Sequence, residues 1–211
     1  EPCIAKSWKI SNDGLTYEFI LRNDVYFHDD ELFPNGKGRK VVASDFAYSF
    51  NRLIDSTVAS TGGWLFNDKV DKNNPFEALN DTTFIIHLKV PFHPMLGMLS
   101  LQYCSVVPKE VVTHFGKDFR SHPVGTGPFK LVRWEENNVL ILTKNENYFE
   151  RDTSGIKLPY LKGVRVSFVA DRGTEFLQFS QGKLDFITGL DVSYKDKLLS
   201  RTGELLPEWK S

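Results

Sequence analysis

The sequence is poor in the features that usually announce chemistry. It has two cysteines and two methionines in 211 residues, and 26 Lys and Arg against 27 Asp and Glu leave a net charge of -1. A balance so near neutral gives no basic field for a phosphate backbone, and no block of Lys and Arg makes one locally, which excludes a nucleic-acid partner. The longest apolar runs, such as Val139 to Leu142, fall far below the roughly 20 residues of a bilayer-crossing helix. Cys3 and Cys104 could pair in an oxidising space, but sequence separation says nothing about their distance and buried free thiols are at least as common, so both are expected to stay free. There is no H-E-x-x-H, C-x-x-C, G-x-S-x-G or G-x-x-x-x-G-K-[ST], which removes the commonest zinc, redox, hydrolase and nucleotide readings. The S-x-x-K pattern occurs at Ser154 to Lys157 and at Ser180 to Lys183, without S-D-N or K-T-G beside it, so both are chance matches. The chain opens at Glu1-Pro2-Cys3 with neither basic nor apolar leader, so an export signal is expected to be absent or already removed.

What is present is a globular pattern, with hydrophobic residues at 41% and charged residues at 25%. Thr16 to Arg22 alternates, placing Tyr17, Phe19 and Leu21 on one face, and Phe84, Ile86, Leu88 and Val90 alternate in the same way; the two are expected to share a sheet. Between them Phe46, Ser49, Phe50, Leu53 and Ile54 form a helical stripe that Ser44 or Asp45 is placed to cap. Pro108 and Gly116 bracket a short helix through Val111 and Val112. The concentration of Pro and Gly in Pro123-Val124-Gly125-Thr126-Gly127-Pro128 is the clearest break, and it predicts a boundary between residues 1–122 and 123–211. Beyond it the pattern predicts a hairpin of Phe129 to Arg133 with Val139 to Lys144. A strand at Val164 to Val169, a helix at Thr174 to Gln181 and a strand at Leu184 to Thr188 follow, the last two strands parallel through a right-handed crossover. The fold class is α/β in the mixed sense, α+β.

Few side chains suggest a site. The five histidines show no ligand spacing, and the one local cluster, His28 with Asp29 and Asp30, reads as a solvated turn rather than a metal site. No cofactor is implied. Gly125-x-Gly127 is followed by Pro128, which disfavours a phosphate-binding helix start and leaves a tight turn. Phe19, Phe46 and Phe84 fall on core positions. Trp64 follows Gly62-Gly63 in a polar stretch with no period; an aromatic there either plugs a gap or meets a ligand, and the residues alone leave both open.

Several stretches, taken in order, resemble one family. They are Ala5-Lys6-Ser7-Trp8, Asp13 to Phe19 running into Leu21-Arg22, Phe27-His28-Asp29 and Ala43 to Phe50, then Val107-Pro108-Lys109, Val124 to Phe129 and Gly182-Lys183-Leu184-Asp185. Together they are similar to the family 5 extracellular solute-binding proteins, the oligopeptide- and dipeptide-binding components of bacterial ABC importers. The resemblance implies a type II periplasmic-binding-protein-like fold and no catalysis. It also implies a peptide or other small solute as ligand, an ABC permease in the membrane as partner, and a periplasmic or surface-tethered, lipoprotein-like location. It casts residues 1–122 as the family's extra sheet-and-helix domain and 123–211 as the middle of the first lobe, with the second lobe absent. Thr188, Gly189 and Leu190, at the end of the last expected strand, then face the cleft, with Trp64 as a wall. The family commonly carries Thr where Val42 stands, and its F-H-D-G turn is here Phe27-His28-Asp29-Asp30 followed by the insertion Asn35-Gly36-Lys37-Gly38. The alternatives are a hydrolase or isomerase with dispersed catalytic groups, and a sensor or docking module on the same fold.

Overall fold

The computed structural model describes residues 3–209; residues 1, 2, 210 and 211, which the two expected domain ranges include, lie outside it. Among the described residues, 3–134 and 141–164 form one compact unit, and 135–140 with 165–209 form another. The Pro/Gly stretch lies within the first unit, where Val124 is buried with Val25, Phe27 and Val111.

The first unit is built on a four-stranded sheet. Its elements in chain order are β1 (Ala5–Ile10), β2 (Thr16–Leu21), α1 (Ala43–Ile54), β3 (Phe76–Asn80) and β4 (Thr83–His87), and the strands lie in the order β1-β2-β4-β3. β2 and β4 pair antiparallel with Tyr17 opposite Ile86 and Phe19 opposite Phe84, so the two alternating patterns do share a sheet. Val90, expected to extend β4, is exposed beyond its end. It precedes Pro91, and a ladder cannot continue through a residue without an amide hydrogen.

α1 lies over this sheet because its stripe meets the aromatic face of the strands. Phe50 has ring partners in Phe46, Phe66, Phe76 and Phe84 at 5.3 to 6.1 Å between centroids. Val42, at the N-cap, has no side-chain acceptor, so Asp45 reaches back instead and accepts from the Val42 N–H at 3.0 Å. That is the half of a capping box that survives when the N-cap hydroxyl is missing. Farther on come α2 (Met95–Leu99) and α3 (Lys109–Phe115), the latter entered through Pro108 and closed by Gly116 in the left-handed region.

A second sheet holds β5 (Phe129–Glu135), β6 (Val139–Lys144) and β7 (Gly163–Ser167) in that order. In the second unit α4 (Arg172–Ser180) is capped by Asp171, whose carboxylate accepts from the Thr174 N–H at 2.7 Å. Phe176 on α4 is buried, stacked on Tyr194 at 4.3 Å. The expected strand at 184–188 is not formed, and with it the parallel crossover falls away. A strand interior to a sheet exists through its neighbours' amides and carbonyls. Here no ladder reaches the segment, and Phe186 is left 77% exposed.

Candidate functional site

The sequence singled out two places for ligand contact, and they lie in different compact units. In the first unit Trp64 sits on a single turn, Gly63–Leu65, in the connection between α1 and β3. Leu65 and Phe66, which follow it, are fully buried and hold the turn down, while Trp64 is 53% exposed. The Lys69 ammonium donates to the Trp64 carbonyl at 2.8 Å. The two glycines before it are required by close approach. A Cβ on Gly62 would meet Tyr103 Cβ at 2.9 Å, and one on Gly63 would meet the Leu53 carbonyl oxygen at 2.8 Å. The turn is thus wedged between the end of α1 and Tyr103, and its indole is turned out rather than used as a plug. Val58, Leu101 and Tyr103 are exposed apolar residues of the same unit. Sequence reasoning passed over Tyr103. The signal for it was the pair of glycines, which implies a bulky side chain pressed on the backbone.

Because the indole is already turned out, Trp64→Ala is expected to change folding stability by no more than about 0.5 kcal/mol. Urea unfolding of the two proteins checks this, and a loss above about 2 kcal/mol would mean the ring is a structural plug.

In the second unit Thr188, Gly189 and Leu190 lie in an irregular loop after α4. The Arg172 guanidinium donates to the Thr188 carbonyl at 3.2 Å and pairs with Glu175 at 2.7 Å, so the first turn of α4 pins the loop. Gly189 has φ +68°, a conformation that any other residue would adopt only under strain. Leu190 is partly exposed, between the exposed Phe186 and Val192. What this loop offers is backbone amides and carbonyls with apolar neighbours, which suits recognition of a chain more than chemistry on it.

His28, Asp29 and Asp30 do not form a cluster. His28, expected on a solvated turn, is buried at 8% exposure with Nε2 2.9 Å from the Gly127 carbonyl oxygen. Asp29 is held by Lys37 Nζ and the Gly38 N–H, both at 3.0 Å, and these hold its carboxyl below the usual range. Asp30 accepts from the Leu32 N–H. The carbonyl that His28 meets lies 99 residues away in sequence, and no local pattern reveals it. Cys3 and Cys104 are free thiols, and burial pushes the Cys104 thiol up to about 11, so it is inert at neutral pH.

The mixed α/β architecture, compared with solved structures, is that of the type II periplasmic binding proteins. The ABC transporter-associated periplasmic binding protein DppA from Helicobacter pylori, solved in complex with the peptide STSA, superposes with a TM-score of 0.80 at 29% identity, covering 94% of this chain and 40% of that one. Residues 1–206 match the family described as bacterial extracellular solute-binding proteins, family 5 middle, and the chain belongs to it. The dipeptide-binding protein DppE of Bacillus subtilis is 29% identical over 198 residues, covering 88% of this chain and 34% of that protein. Heme-binding protein A of Haemophilus influenzae is 31% identical over 207 residues, covering 89% and 35%. The chain therefore spans about a third of the length of the curated relatives it matches.

Proposed function

We propose that this chain is part of a substrate-binding protein that captures a small solute outside the membrane, most plainly a short peptide, and hands it to an ABC import permease. The observation that carries the reading is the superposition on a peptide-bound relative over nearly the whole chain. In this reading residues 1–122 supply the family's extra sheet-and-helix domain and 123–211 the middle of the first lobe, a division supported by the change of sheet between β4 and β5. Thr188, Gly189 and Leu190 offer backbone groups to an extended ligand, and Trp64 offers a wall. Peptides of varied sequence are held through their own backbone, which needs amides and carbonyls at a strand or loop edge more than any conspicuous motif. The heme-binding relative of equal similarity supports a second reading, in which the same frame accepts a solute that is not a peptide.

Calorimetry with tri- and tetrapeptides tests the proposal on the chain alone and on a chain extended to the length of its relatives. The chain alone is expected to bind more weakly than about 1 mM, since a few exposed hydrogen bonds of about 0.5 to 1.5 kcal/mol each cannot offset the several kcal/mol of freedom lost on association. The extended chain is expected to bind in the micromolar range and return the peptide unchanged. Binding of heme with no peptide binding would replace the ligand class, and turnover of the peptide would replace the function.

A further inference from the structure

One buried titratable side chain has no part in that reading. His28 follows the end of the Val25 to Phe27 segment and meets the Pro/Gly turn twice: its backbone N–H donates to the Gly125 carbonyl at 2.8 Å, and its Nε2 lies 2.9 Å from the Gly127 carbonyl oxygen. The same Gly127 oxygen accepts from Asn145 Nδ2 at 3.0 Å, and Asn145, buried just beyond β6, uses its own N–H on the Pro128 carbonyl at 2.8 Å. One carbonyl is therefore gripped by two buried side chains, one from each side of the turn. A carbonyl only accepts, so Nε2 carries the proton and Nδ1 is the free nitrogen of a neutral ring.

We propose that His28 is an acid-released clasp: its neutral imidazole locks the Gly125 to Gly127 turn against the end of β6, and protonation at Nδ1 drives the ring toward water and frees the turn. The proton added does not break the bond to Gly127, which a cation would make as well. What fails is the solvation of the charge. The ring is enclosed, and Lys130 on β5 adds a like charge; these two hold the imidazole below its ordinary range, burial being the larger. Two groups work the other way, the Gly127 carbonyl and Asp29. Asp29 is already engaged with Lys37 and the Gly38 N–H. The sign follows: a histidine with a depressed folded value takes up its proton more readily in the open state, so the closed turn loses stability as pH falls below about 6.5.

The test compares the chain with His28→Gln, whose amide nitrogen can donate to Gly127 without titrating. Between pH 7.5 and 5 the unfolding equilibrium constant of the unmodified chain is expected to rise by up to about 30-fold more than that of the variant. The protection of the Asn145 amide against hydrogen exchange, corrected for intrinsic rate, should fall in parallel. Equal pH dependence in the two proteins would overturn the proposal. Should the variant fail to fold, the imidazole resonances of the unmodified chain decide alone: a Nε2–H tautomer titrating well below 6.5 with loss of Asn145 protection upholds the clasp, and ordinary titration with protection unchanged refutes it.

Discussion

Phe50→Ala is expected to cost about 3 to 5 kcal/mol of folding stability, the range for deleting a buried aromatic ring. Phe50 is almost fully buried and is the residue through which α1 meets the sheet, touching ring partners on α1 itself, on the connection after it, on β3 and on β4. Removing the ring takes away its transfer free energy and leaves a space walled by four other rings, which cannot collapse into it without giving up their own contacts. Phe50→Leu, which fills part of that space, should lose less than half as much. Urea titrations followed by tyrosine and tryptophan fluorescence measure both. A loss below about 1 kcal/mol for the alanine variant would mean that α1 is held to the sheet by something other than this cluster.

The second large effect is expected at Arg39. Its guanidinium grips the Asp45 carboxylate with two bonds of 2.7 and 2.8 Å and reaches Glu110 on α3 at 2.6 and 3.0 Å, while lying 5.1 Å from the centre of the Phe27 ring. The Asp45 side chain is only 5% exposed. Arg39→Met removes the cation and strands that carboxylate, so a loss of about 3 to 5 kcal/mol is expected, most of it the cost of an unpaired buried charge. A double variant separates the stranded charge from the lost pair. Arg39→Met with Asp45→Leu removes both charges, and should recover most of the loss despite carrying two substitutions. If it is less stable than the single variant, the pair itself and the Asp45 cap on Val42 matter more than the stranded charge. Glu110 adds a pH signature. Arg39 holds its carboxyl below the usual range, so its share of stability is present above the ordinary carboxylate value and is lost as pH falls through the lowered folded one. In Arg39→Met that acid-side loss should shrink.

How much of this could be read without coordinates depended on how far away each residue's partner lay. β2 and β4 were legible because alternation is a local pattern, and Tyr17, Phe19, Phe84 and Ile86 carry it whatever they face. α1 was legible for the same reason, but its cap was not: Ser44 and Asp45 were equal candidates, and the N-cap is Val42, with Asp45 reaching back to it from the third helical position. β1 was not: it lies at the sheet edge with five of its six residues exposed, so no apolar period marks it. The segment 184–188 failed in the opposite direction, having the composition of a strand and no neighbour to pair with. At the candidate site, Trp64 stood out only because two glycines preceded it. His28 was misplaced because its carbonyl partner lies on a turn 99 residues later. Patterns report what a residue prefers, and burial is decided by what the chain brings back to it.

The strand order has a consequence for how this chain reaches its structure. The central ladder joins Thr16 to His87 and Ile20 to Thr83, so the middle of the sheet is formed by segments more than 60 residues apart in sequence, with α1 lying between them. β1 with β2 and β3 with β4 pair as local antiparallel hairpins, but the ladder that joins one hairpin to the other must meet the loop entropy before it returns anything, which places this sheet among the slowly forming topologies. A cut anywhere between Arg22 and Thr82 would turn that closure into an encounter between two separate chains. Recovery after denaturation would then depend on protein concentration, while the uncut chain refolds at a rate independent of it.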